Sequence, residues 1–86
     1  MASVAITFRI LPKDADVDID SLKSAVRGAL GGAFRDMKVK PLAFGIMAIE
    51  AMVVVDDAAG GSEALEQSLA SVRGVGTVET VDVTLV

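Results

Sequence analysis

The order in which two hydrophobic periods alternate along 86 residues leaves this chain few folds to adopt. Residues 4–10 carry Ile6, Phe8 and Ile10 in alternation with Thr7 and Arg9, the period of two that marks a half-buried strand, and Leu11-Pro12 ends it. After an acidic loop from Lys13, Asp18 or Asp20 is placed to cap a helix in which Leu22, Ala25, Val26, Ala29 and Leu30 recur at helical spacing. Gly31-Gly32 then supplies the left-handed stop that side chains with a Cβ resist. A second strand starts at Phe34 or Met37 and reaches Leu42, with Met37 and Val39 on one face and Lys38 and Lys40 on the other. Pro41 cannot donate to a ladder and lysines discourage strand addition, so this strand belongs at an edge. A turn at Ala43-Phe44-Gly45 leads into Ile46 to Val55, whose nearly unbroken apolar character suits a central strand. Gly60-Gly61 punctuates the chain, and Ser62 is placed to cap a helix with Leu65, Leu69 and Val72 on one face. Gly74 and Gly76 close it, and Val78 to Val86 forms a last strand whose Glu79 and Asp82 suggest an exposed edge.

The resulting order, β-α-β-β-α-β, is the split-βαβ or ferredoxin-like arrangement: an α+β fold with a four-stranded antiparallel sheet and both helices on one face. Right-handed crossovers give the strand order 4-1-3-2, which leaves strands two and four at the edges, in agreement with their Pro, Lys, Glu and Asp content. Combining the periods predicts a core built mostly from Ile6, Phe8, Leu22, Val26, Leu30, Ile49, Val53, Leu65, Leu69 and Val83. The length fits one domain, taken as residues 1–86. A chain of this size buries only about 60–65 % of its unfolded surface, so its stability is modest.

Composition removes most chemistry. Cysteine and histidine are absent, which excludes disulfides, thiolate nucleophiles, imidazole bases and nearly every zinc, haem or iron–sulfur ligand set; no cofactor is expected. The apolar stretch from Leu42 to Ile49 is interrupted by Glu50 and falls far short of the roughly 20 residues that span a bilayer. With no basic leader ahead of the first strand, the expected location is cytoplasmic. Net charge is −4 and uneven: residues 1–40 hold seven Lys/Arg against five Asp/Glu, residues 41–86 one against seven. Neither half has the clustered cations that neutralise a phosphate backbone, so direct nucleic-acid binding is not expected. The remaining class is a module that binds another protein.

Four features are candidate sites. Asp56-Asp57 is an adjacent pair at a strand end, whereas a hard cation needs several convergent oxygens; solvation or helix entry explains the pair better. Gly74-x-Gly76 follows a helix, so it lacks the helix N-terminus that binds phosphate and reads as a turn. Lys38 and Lys40 fit an acidic partner and edge protection equally well. Phe44 stands apart, because hairpin tips are usually polar and the chain has only three aromatics. Either the ring folds back onto the sheet or it is an anchor that fills a pocket on a partner.

Read together, Ile10-Leu11-Pro12, Pro41-Leu42-Ala43-Phe44-Gly45-Ile46, Val53-Val54-Val55-Asp56-Asp57 and Val78-Glu79-Thr80-Val81-Asp82-Val83 resemble the elongation factor 1-beta family in its short archaeal form. The resemblance covers nearly the whole chain, and its most specific piece is the Phe-Gly-Ile turn followed by the valine run and paired aspartates. It implies a ferredoxin-like domain that exchanges GDP for GTP on the GTPase elongation factor 1-alpha without covalent chemistry; a monomer is expected. It also implies that Phe44, beside Gly45, docks on the GTPase. Eukaryotic members use a lysine near the C-terminus to disturb the partner's magnesium and phosphate site. This chain instead ends Val83-Thr84-Leu85-Val86, so if exchange occurs, steric and main-chain contacts from Thr84, Leu85 and Val86, or displacement of a switch segment, must serve instead. Topology sets the Phe44 turn and the end of strand four at opposite poles, roughly 20 Å apart for a strand of about six residues. The alternative is a small-ligand regulatory module of the ACT type, which shares the fold. An acylphosphatase needs an asparagine, which this chain lacks, and an RNA-recognition motif needs stacking aromatics on its central strands, where Ile46 to Val55 has none.

Overall fold

The computed structural model describes residues 3–56 and 61–85. The elements are β1 (Ser3–Pro12), α1 (Ile19–Leu30), β2 (Phe34–Pro41), β3 (Met47–Asp56), α2 (Gly61–Ala70) and β4 (Val75–Leu85), with short 3₁₀ turns at Gly31–Ala33 and Ala43–Gly45. The sheet order is β2-β3-β1-β4 and every pairing is antiparallel, which is the order 4-1-3-2 read from the other edge. The ferredoxin-like arrangement expected from the periodicities is therefore the one observed.

Local chemistry explains the boundaries. Asp18 is the N-cap of α1: its carboxylate accepts from the Asp20 backbone N–H at 3.2 Å and the Ser21 hydroxyl at 2.8 Å, satisfying donors the first turn leaves open. Gly31, at φ 56°, ends the helix and donates its N–H to the Arg27 carbonyl. The Arg27 guanidinium then lies over the Phe34 ring, 5.1 Å from its centroid, and ties α1 to the start of β2. α2 begins at Gly61, so Ser62 falls within the helix and not ahead of it.

Gly76 lies inside β4 and not at the close of a helix. A Cβ there would sit 2.8 Å from the Lys13 Cα and 3.0 Å from the Pro12 carbonyl oxygen, so only glycine lets β4 pass the end of β1 this closely. The Lys13 N–H donates to the Gly74 carbonyl at 2.8 Å in the same crossing, and Gly74 itself takes φ 96°. Both glycines are committed to backbone geometry.

Register places the core on one face of the sheet. Ile6 faces Val53, Phe8 faces Ala51 and Ile10 faces Ile49, and these residues pack with Leu22, Val26 and Leu30 of α1 and Leu69 of α2. Val4, Ile10, Ala48 and Ala51 are also buried, beyond those expected from the sequence, whereas Leu65 is only half-buried against the cluster. Val83 does not belong to the core: it pairs with Ile6 but is 59 % exposed. The reason is its strand, because β4 has a neighbour on one side only and every residue from Glu79 to Leu85 is exposed, with nothing among the described residues covering them.

Candidate functional site

Strand directions decide where the expected site residues fall. Pro41 pairs with Met47, so the β2–β3 turn projects from one end of the sheet. Ser3 pairs with Asp56 and Val4 with Leu85, so the close of β3 and the close of β4 share the other end. Phe44 and Gly45 are thus brought together at one pole, and Thr84 and Leu85 at the opposite one; Val86 and Asp57 lie outside the described residues. β3 has ten residues, which at about 3.3 Å each spans some 30 Å, in a molecule 42 Å along its longest axis. The poles are therefore further apart than a six-residue strand would place them.

The turn is closed by the Leu42 N–H donating to the Ile46 carbonyl at 2.6 Å. Within this three-residue loop Phe44 takes φ 64°, ψ 26° and Gly45 takes φ 74°, two successive residues with left-handed φ. Glycine accepts that conformation freely, but for a side chain with a Cβ it costs on the order of 1–2 kcal/mol. Left-handed positions favour glycine and asparagine where this chain has phenylalanine, and the ring is 97 % exposed. It does not fold back onto the sheet. Leu42 and Ile46 flank it and are partly exposed, which makes the tip an apolar cluster of three. Among the described residues nothing covers the ring, so the left-handed backbone cost at Phe44 is not offset by burial of its side chain, and such outliers concentrate at functional sites.

The face of the sheet opposite the helices carries a row of charges that the linear reading missed. Register aligns Glu79 of β4, Arg9 of β1, Glu50 of β3 and Lys38 of β2. Arg9 Nη2 lies 3.4 Å from Glu50 Oε2 and Nη1 lies 4.0 Å from Glu79 Oε2, while Lys40 Nζ reaches Glu50 Oε1 at 3.3 Å. Cross-strand register is the signal that would have found it, since Arg9 and Glu50 are directly opposed once β1 and β3 are paired. Desolvation pushes the Glu50 carboxyl upward, but Lys40 and Arg9 outweigh it and hold the group below the usual glutamate range. A group lowered in the folded state contributes stability at neutral pH that is lost as pH falls below about 4.3 toward its folded value. Because Lys40 and Arg9 remain accessible to solvent, the contribution is at most about 1 kcal/mol. Denaturant titrations should show wild type more stable than Glu50→Gln at pH 7, with the difference closing below pH 4; a difference independent of pH would contradict this assignment. Among the described residues no group of three or more acidic side chains converges as a metal site would require, and no helix is long and apolar enough to cross a membrane.

Fold and poles together define a small ferredoxin-like α+β domain with an apolar tip at one end and, among the described residues, an exposed strand end at the other. The chain belongs to the EF-1 guanine nucleotide exchange domain family, whose model matches residues 5–86. It is 41 % identical to the elongation factor 1-beta of Methanoculleus marisnigri over the full length of both chains. It is 39 % identical to that of Methanothermobacter thermautotrophicus, with 96 % of each chain covered. Among solved structures it resembles the ACT domain from the GTP pyrophosphokinase of Chlorobium tepidum, with a TM-score of 0.67 over 92 % of this chain and 99 % of that one. At 21 % identity this likeness shows the fold alone.

Proposed function

We propose that this protein promotes exchange of GDP for GTP on elongation factor 1-alpha as a single 86-residue cytoplasmic domain, acting as a monomer through protein–protein contacts, with no covalent step and no direct contact with nucleic acid. The observation that carries the proposal is the family match over residues 5–86; the exposed, strained Phe44 supports it. In this reading Phe44 and Gly45 grip one part of the GTPase while Thr84, Leu85 and Val86 press on the nucleotide side. Val83, Thr84, Leu85 and Val86 include no lysine, so these residues act by steric and main-chain contacts or by displacing a switch segment. Linkage constrains the energetics: a factor that loosens nucleotide is itself bound more weakly when nucleotide is present, by the same ratio. A coupling of about 4 kcal/mol would change affinity roughly a thousandfold, within reach of one anchored interface.

Release of mant-GDP from archaeal elongation factor 1-alpha tests this directly. Added protein should accelerate release saturably, and deletion of Thr84 to Val86 should slow that acceleration at least tenfold while sparing most of the affinity. Unchanged release at a large excess of wild-type protein would refute the exchange function.

A further inference from the structure

The two edges of the sheet are built on opposite principles. β2 carries Arg35, Lys38, Lys40 and Pro41, residues that resist the addition of another strand. β4 has eleven residues, contains no lysine, arginine or proline, and exposes Val81 by 40 %, Val83 by 59 % and Leu85 by 71 %. Strands are ordinarily about half that length, and a long exposed edge with apolar side chains at Val81, Val83 and Leu85 is a template for pairing. Besides the charges of Glu79 and Asp82, a bulge interrupts it: the register with β1 shifts between Thr7 and Phe8, so that Asp82 faces Thr7 and Thr80 faces Phe8, which leaves Val81 bulged. Beyond the bulge, Val83 and Leu85 face the helix side opposite Ile6 and Val4, with no element over them among the described residues.

We propose that the outer edge of β4 from Val81 to Leu85 receives an extended segment of the GTPase by strand addition, and that this segment carries basic residues among its apolar ones. The inference rests on the exchange function proposed above and specifies how its nucleotide-side pole makes contact. Charge selects the occupant. Residues 41–86 hold one cation, Arg73, against seven acids, and Glu63, Glu66, Glu79 and Asp82 are all exposed on α2 and β4, so a second copy laid antiparallel on the same edge would bring like charges together. A basic partner strand would be drawn in instead, with main-chain bonds providing affinity and Val83 and Leu85 providing side-chain contacts.

Amide hydrogen exchange by NMR on the isotopically labelled protein, free and bound to nucleotide-free elongation factor 1-alpha, tests the mode of contact. Strand addition protects every second amide between Val81 and Leu85, at least tenfold, only in the complex. In the double variant Val83→Lys, Leu85→Lys, both exposed positions, that protection should disappear and the acceleration of GDP release should fall at least tenfold with an unchanged melting temperature. If wild type accelerates GDP release but these amides stay unprotected, strand addition is wrong and the exchange function stands. If wild type neither binds nor accelerates release, both fall. Concentration-dependent protection in the free protein would assign the edge to a second copy and overturn the proposal.

Discussion

Replacing Phe44 with alanine is expected to weaken binding to elongation factor 1-alpha by about 2–4 kcal/mol, roughly 30- to 1,000-fold, while leaving the protein's own unfolding transition nearly unchanged. The two halves of this expectation have separate causes. The ring is 97 % exposed, so removing it uncovers no core and leaves no cavity, and alanine pays the same left-handed backbone cost that phenylalanine pays at φ 64°. An aromatic held out from a rigid hairpin, in contrast, has little freedom left to lose when it enters a pocket. Phe44→Gly separates the contributions further: it relieves the backbone, so it should be at least as stable as Phe44→Ala while binding equally poorly. Isothermal titration against the GTPase and thermal unfolding of the free variants measure both quantities. Normal binding by Phe44→Ala would move the anchor elsewhere on the molecule.

Truncation in the core should act in the opposite way. Leu22→Ala and Leu69→Ala are each expected to lower stability by about 2–5 kcal/mol, because both side chains are buried between the helices and the sheet and the space they leave cannot fully collapse. A domain of this size has on the order of 4–13 kcal/mol in total, so either variant sits near the limit of folding and its melting temperature drops by tens of degrees. Val83→Ala is the matched control on the same face of the sheet, and its exposure keeps the expected loss within about 0.5 kcal/mol. Urea titrations of the three variants provide the comparison, and a small loss at both leucines would show that the helix faces are assigned wrongly.

The contrast between Leu22 and Val83 shows where linear reading works. Leu22, Val26 and Leu30 fall on one helical stripe, and the stripe faces the sheet because an amphipathic helix has nowhere else to bury it. Asp18 caps that helix and Gly31 ends it through interactions that reach only a few residues along the chain. Strand order follows in the same way from the handedness of the crossovers, and the edge status of β2 from its own lysines and proline. The caps, the stripes and the edge signals depend on short-range sterics and on period, which one segment carries in full, and strand order adds only the fixed hand of the crossovers.

Whatever depends on a neighbour distant in sequence was settled only by the fold. Val83 alternates correctly for a buried residue, yet burial needs an element above it, and β4 ends beyond any such cover among the described residues. Gly76 resembled part of a turn until the strands crossed and left it against the backbone of Lys13. Arg9, Glu50 and Glu79 became one charge row only when three strands aligned, since opposing positions exist in a sheet and not along a chain. At the tip, the aromatic in a hairpin turn beside a glycine can be read from residues 43–45 alone. That the ring points into solvent from a strained backbone, some 30 Å from the far end of the sheet, was decided by the hairpin closing on the Leu42 to Ile46 hydrogen bond and by the ten-residue length of β3.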